Sequence, residues 1–313
     1  MSFHVLGIGE ILWDLLETGP QLGGAPANFA YHAGTLGANA GVVSRVGTDP
    51  RGKAIQQKLA EMRLPLELLQ VDASAATGTA AIELTGEGIP EFTIRPDVAW
   101  DYLAPTEPAL AAACRADAIC FGSLAQRREP SRTTIQKLLR AAKPDSWRVF
   151  DVNLRQDFYN REIIETSLEL ANVLKLNEAE LNALAAMFQL RGAVNTQLQA
   201  IADQFSLKVV ALTRGPRGSV LYAQGRWSEC QSQPVRVNDT VGAGDAFTAA
   251  LVTGLLREMD LDEVNRAACE VARHLCSCPG AMPLLPRELR DLFSGNTAAT
   301  QRAGNSKTAT TIK

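Results

Sequence analysis

The 313-residue chain has only three histidines, and aromatic residues make up 6% of it. A metal centre built on imidazoles is therefore not expected, and few rings are available to stack on a nucleobase. Charge of one sign is also scarce. The formal net charge is -3 and the isoelectric point about 5.8, with no basic run or basic patch interleaved with aromatics. No nucleic-acid partner is expected on these grounds. No stretch is long and apolar enough to span a bilayer, so no membrane partner is expected. Met1–Gly7 lacks the basic start and apolar core of a signal peptide, and a cytoplasmic location is expected. The six cysteines, Cys114, Cys120, Cys230, Cys269, Cys276 and Cys278, are scattered, mostly in apolar segments. Cys276 and Cys278 form a C-x-C pair, but no second pair completes a zinc set, so reduced, buried thiols are expected.

What is present is apolar residues, at 46%, enough for a large core. Short apolar runs alternate with helical patterns. Strands are predicted at 3–9, 40–46, 116–121, 147–151, 173–176 and 207–213. Helices are predicted at 26–36, 52–62, 131–142, 161–171, 178–187, 196–205, 244–258 and 261–276. This alternation predicts βαβ units and a mostly parallel sheet covered on both faces, an α/β fold in one domain over residues 1–295. Two segments break the rhythm. Residues 77–84 and 90–94 read as strands of a hairpin joined by Thr85-Gly86-Glu87-Gly88, and 11–16 as a strand outside the main sheet. Segments 11–24 and 77–100 are thus expected to form a small β flap. Residues 296–313 have almost nothing to bury and are expected to be a disordered tail.

The most informative seven residues are Asp239-Thr240-Val241-Gly242-Ala243-Gly244-Asp245, followed by the apolar run Ala246–Val252. Small residues at a helix start leave backbone N–H groups facing a ligand, and the helix dipole adds partial positive charge there. Such a nest suits the charge on a phosphoryl group in flight. Asp245 stands at its rim, where a carboxylate can take a proton from an attacking hydroxyl; the plainer alternative is a capping acid. A second cluster, Gly23-Gly24-Ala25-Pro26-Ala27-Asn28, joins a glycine pair to an amide with mixed donors and acceptors, as polyhydroxy ligands require. Its alternative is an ordinary helix start. Gly47-Thr48-Asp49-Pro50-Arg51-Gly52-Lys53-Ala54 nearly matches a phosphate-binding P-loop. Ala54 stands where the magnesium-holding hydroxyl belongs, however, so a strand-to-helix loop with Asp and Pro start signals is expected. Gly7-Ile8-Gly9-Glu10 lacks the third glycine of a dinucleotide fingerprint.

The diglycine-Asn element and the distant Asp-Thr-Val-Gly-Ala-Gly-Asp together resemble the PfkB (ribokinase-like) family of carbohydrate kinases, over about residues 3–290. The resemblance implies a three-layer α/β/α sandwich with a small β-sheet lid, and phosphoryl transfer from ATP to a sugar hydroxyl. Asp245 is then the catalytic base, with the amides of Gly242, Ala243 and Gly244 as the anion hole. Asp14, Gly24 and Asn28 would bind the sugar. Asp151-Val152-Asn153-Leu154-Arg155 is similar to the D-x-N-x-R of fructokinase-like members, which implies Arg155 near the transferred phosphate. Asn177 and Glu180 match the family's N-x-x-E, which implies that they organise water around Mg2+. Thr213, Gly215 and Gly218 match the turn lining the nucleotide, and residues 268–280 would border the adenine. Asp239 and the loop after Cys276 are implied to shape a monovalent cation site for K+. Each has a plainer alternative: Arg155 pairing with Asp151, Glu180 a solvated helix residue, Asp14 an exposed loop acid.

The family's usual Gly-Gly-Lys-Gly-x-Asn here reads Gly-Gly-Ala-Pro-Ala-Asn, and the missing lysine argues against an already phosphorylated sugar. This stretch, the D-x-N-x-R and Val98-Ala99-Trp100-Asp101 are most similar to bacterial fructokinases, which implies fructose. A 2-keto-3-deoxygluconate kinase, with Arg95 meeting the acid, stays open, as does a non-catalytic sugar sensor on the same scaffold. The exposed flap edges invite pairing with a second subunit as a homodimer.

Overall fold

The computed structural model describes residues 2–16, 19–84 and 90–294. In chain order the elements are β1 (His4–Ile8), β2 (Leu12–Leu16), β3 (Gly19–Gly23), α1 (Ala25–Thr35), β4 (Asn39–Gly47), α2 (Pro50–Glu61), β5 (Leu69–Asp72), β6 (Gly78–Leu84), β7 (Pro90–Ile94) and α3 (Glu107–Arg115). There follow β8 (Ala118–Phe121), α4 (Glu129–Ala141), β9 (Trp147–Asp151), α5 (Arg161–Leu170), β10 (Val173–Asn177), α6 (Glu178–Phe188), α7 (Val194–Phe205) and β11 (Val209–Thr213). The chain continues through β12 (Ser219–Ala223), β13 (Arg226–Cys230), α8 (Ala243–Leu256), α9 (Leu261–Cys276) and α10 (Arg287–Asp291).

The main sheet has nine strands in the order β13-β12-β11-β10-β9-β8-β1-β4-β5. The strands from β11 to β5 run parallel, while β12 and β13 continue the edge antiparallel. Alternating residues of each parallel strand feed two separate cores. Val5, Val42, Cys120, Val149 and Val173 join the core that also holds α1, α8 and α9. Their neighbours Leu6, Val43, Phe121, Phe150 and Leu174 join the core formed with α3 to α7. Both faces are therefore covered, which is why these strands lack polar alternation. The first turn of α1 sits directly on β1. A Cβ at Gly7 would come within 2.0 Å of the Pro26 carbonyl oxygen, so only a bare backbone permits this approach.

A second sheet of four strands, β3-β2-β6-β7, forms the flap. The turn expected at 85–88 and the tail expected at 296–313 lie outside the described residues. The short strands β3, β5, β12 and β13 and helices α3 and α10 were not predicted, being brief or edge elements whose packing is supplied by distant neighbours. The flap also ends sooner than expected. Val98, Ala99 and Trp100 are buried in the body, and Ala76 bridges to Val98. The expectation of buried thiols holds only for Cys120 and Cys269; Cys114 is exposed and the rest are partly so. Among the described residues no helix is long and apolar enough to cross a membrane.

Candidate active site

The candidate residues converge where the parallel strands end, beneath the flap. Asp151 closes β9, Asn177 closes β10 and Thr213 closes β11. Ligands of open α/β sheets bind at this carboxyl edge. Helix α8 points its amino end into the same space. Its N-cap is Gly242, in a left-handed conformation with φ 75° and without a side chain to cap the helix. A Cβ there would meet Ala281 at 2.8 Å, so glycine is required by both conformation and space. Of the expected anion hole, the Ala243 amide is already engaged at 3.3 Å with the Thr240 carbonyl. Among the described residues the amides of Gly242, Gly244 and Asp245 have no backbone acceptor. The open amides at this helix start are thus those of Gly242, Gly244 and Asp245, and that of Ala243 is not among them.

Asp245 lies in the first turn of α8, partly buried, and accepts a hydrogen bond from Asn28 Nδ2 at 2.7 Å on Oδ2. That bond joins the two sequence clusters across 217 residues. Burial pushes the Asp245 carboxyl up to about 7, and the neighbouring Asp151 charge adds to the rise; Asn28, Lys175 and Arg155 oppose it. An ordinary carboxylate titrates near 4, so this carboxyl holds a proton more tightly than a free one. Asn28 is itself buried, and its Oδ1 is without a partner among the described residues, leaving an acceptor for a ligand hydroxyl.

Asp14 sits on flap strand β2 and folds over β3: a Cβ at Gly23 would lie 2.2 Å from Asp14 Oδ2. Burial raises its carboxyl to about 6, against the pull of Arg155. Arg155 is exposed and does not pair with Asp151. Its guanidinium is close enough to draw down Glu10, Asp14 and Asp245 alike. The loop carrying it is tied back by the Leu154 amide, which donates to Glu180 Oε1 at 3.2 Å.

Glu180 is not a solvated helix residue; it is buried at the start of α6. Asn177 and Glu180 form a reciprocal capping box. Asn177 Oδ1 accepts from the Glu180 amide at 2.9 Å, and Glu180 Oε2 accepts from the Asn177 amide at 2.8 Å. Each Glu180 oxygen keeps a lone pair for water, which is compatible with an indirect role at a cation. Among the described residues no cluster of three His, Cys, Asp or Glu could hold a metal directly. Asp239 accepts from the Val241 amide on one oxygen and from the Gly280 amide on the other, at 3.0 and 3.1 Å, so it ties the loop before α8 to the one after α9. Gly215 and Gly218 form the turn between β11 and β12, and Gly218 lies against the Cys230 carbonyl.

Three residues of this site escaped the sequence reading. Glu10, just beyond β1, is buried with Oε2 unpartnered among the described residues. Burial raises it to about 7, and Asp245 adds to the rise. Lys175 is buried in β10 and donates to Asp151 Oδ1 at 3.0 Å. Thr248, one turn beyond Gly244, donates to Asp151 Oδ2 at 2.9 Å. The available signal was a charge inside an apolar strand, Val173-Leu174-Lys175-Leu176.

A buried carboxylate beside open helix amides, under a β flap at the edge of a parallel sheet, is an arrangement suited to group transfer. The chain matches the pfkB family carbohydrate kinases over residues 17–288 and belongs to that family. It is 32% identical to a fructokinase of Klebsiella pneumoniae over 305 residues, covering 91% of this chain and 97% of the relative. Among solved structures it resembles an uncharacterized sugar kinase of Pyrococcus horikoshii in complex with ATP, with a TM-score of 0.75 and 28% identity over 92% of this chain and 99% of that one. It resembles equally a Vibrio cholerae fructokinase double mutant bound to fructose, ADP and potassium, with a TM-score of 0.75 and 27% identity over 94% and 98% of the two chains. The ribokinase-like α/β/α fold with its β lid, implied by the motif resemblance, is thereby borne out.

Proposed function

We propose that the protein transfers the γ-phosphoryl group of ATP to a hydroxyl of an unphosphorylated sugar, fructose. The observation that carries the reading is the Asn28–Asp245 hydrogen bond. It fixes a carboxylate with a raised proton affinity beside amides that no side chain caps. The sugar lies between β2 and the amino end of α1, with hydroxyls on Asp14, the Gly24 backbone and Asn28. Asp245 accepts the proton of the attacking hydroxyl as its oxygen approaches phosphorus. The open amides of α8 and the Arg155 guanidinium hold the phosphoryl oxygens, whose charge is spread in a loose transition state. The lid excludes water that would otherwise attack ATP. Magnesium, arriving with the nucleotide, supplies charge neutralisation on the phosphate oxygens, and Asn177 and Glu180 would orient its water. Thr213, Gly215 and Gly218 border the nucleotide, and Asp239 with the 276–280 loop would shape a potassium site.

Fructose is favoured by the absence of a lysine in Gly23–Asn28 and by the fructokinase relatives. A coupled ADP assay over fructose, ribose, 2-keto-3-deoxygluconate, fructose phosphates and adenosine tests both parts. The highest kcat/KM is expected for fructose. Preference for another compound would overturn the sugar, and ligand-induced stabilisation without any ADP release would overturn the kinase.

A further inference from the structure

We propose that Lys175 is a positioning residue of the transfer site: its ammonium, seated behind the Gly244 peptide, supplies fixed positive charge that the uncapped end of α8 uses to hold a phosphoryl group. The inference rests on the kinase reading above. A buried lysine is rare unless paired, and Lys175 is only 7% exposed. Its Nζ donates to Asp151 Oδ1 at 3.0 Å. Asp151 Oδ2 in turn accepts from Thr248 Oγ1 at 2.9 Å, and that hydroxyl also lies 3.0 Å from the Gly244 carbonyl oxygen. A hydroxyl has a single proton, so these two contacts share it. The chain of contacts ties β10, β9 and the first turn of α8 into one unit. No side chain stands between the ammonium and the glycine loop, since a Cβ at Gly244 would lie 3.0 Å from Nζ.

A counter-ion for Asp151 alone would not need this placement. A buried ion pair adds little to stability compared with apolar residues of the same volume, so its retention beside the loop calls for another reason. Fixed charge in a dry site acts on developing phosphoryl charge far more strongly than it would in water. The charged groups facing Lys175 are Asp151 from β9, Glu180 from α6 and Asp245 from α8. Burial opposes its charged form, but these carboxylates together outweigh burial and hold the ammonium protonated. It acts through the Gly244 peptide rather than as a proton donor.

Lys175→Met alone strands the Asp151 carboxylate, so that variant is expected to unfold readily. The deciding comparison is therefore Asp151→Asn against the double variant Asp151→Asn/Lys175→Met, which has neither charge. The double variant, which strands no charge, is expected to melt no lower than the single one and to stay within about threefold in KM for the sugar. Its kcat is expected to be about a hundredfold lower, the scale seen when one anion-hole donor is removed. Equal kcat in the two variants would make Lys175 a mere counter-ion and overturn the proposal. A readout without turnover is the melting-temperature rise with ADP and aluminium fluoride, a mimic of the transferred group. The rise should persist in Asp151→Asn and vanish in the double variant; persistence in both would also overturn the proposal. Wild-type ADP release tests the kinase reading separately from either comparison.

Discussion

Two glycine-rich loops lead into helices in this molecule, and they use an aspartate in opposite ways. In Gly47–Gly52 the acid precedes the helix. Asp49 is the N-cap of α2, accepting from the Gly52 amide at 2.9 Å and from the Thr77 amide at 2.7 Å. Burial works against its charge, but the amide bonds outweigh burial and hold its carboxyl below the usual range. In Gly242–Asp245 the acid comes three positions after the cap. It leaves the amides of α8 open, and burial raises its carboxyl to about 7. The same residue types thus make a closed structural corner in one place and an open reactive one in the other. Position within the first turn decides which: Asp49 at the N-cap takes the amide of the following turn, whereas Asp245, three positions further on, is held by Asn28.

The largest break in this comparison is Asp245→Ala, expected to lower kcat by about 10²–10⁴ while nucleotide affinity measured by calorimetry stays near normal. Unchanged turnover would remove Asp245 from its role.

The pH dependence comes next. The proposed mechanism needs Asp245 ionised, so kcat/KM should fall about tenfold per pH unit below an apparent pKa of about 7. Stability should run the other way. Glu10 and Asp245 near 7 and Asp14 near 6 all lie above unfolded carboxyls near 4. Their contributions are complete below about pH 4 and are lost as pH rises through 6 to 7. Asp245→Asn should therefore raise the melting temperature at pH 8 while abolishing turnover. A lower melting temperature there would contradict the raised proton affinity.

The smallest effect is expected at the structural corner. Asp49→Ala should cost about 1 kcal/mol, the scale of a lost N-cap, and leave kcat within about twofold. Asp49 has a lowered carboxyl, so its contribution is present above about pH 4 and is lost as pH falls through its folded value. Thermal melts at pH 7 and 3 distinguish the two aspartates by sign.

Much of this was legible in the chain. The two glycine clusters carried the family, because their backbone demands leave few alternative residues. The body was readable from continuous apolar strands such as Ala118–Phe121, which a doubly covered sheet requires. Antiparallel β12 and β13 were not readable, since alternation in Ser219–Ala223 is weak and their pairing depends on β11. The Asn177–Glu180 capping box was present as N-x-x-E, but the spacing alone does not reveal that both side chains already serve the backbone. Lys175 and Glu10 were hidden for a different reason. Their roles come from burial and from neighbours on other elements, Asp151 and Gly244 for Lys175 and Arg155 and Asp245 for Glu10, which a local pattern does not carry.

The Asn28–Asp245 bond spans 217 residues, and this has a consequence for synthesis. A chain emerging from the ribosome can complete β1, the flap and α1 while α8 is still untranslated. Until α8 arrives, Asn28 has no carboxylate to hold and the glycine-rich helix start does not exist. Phosphoryl transfer is thus among the last properties the nascent protein acquires, and fragments released early would be unable to squander nucleotide.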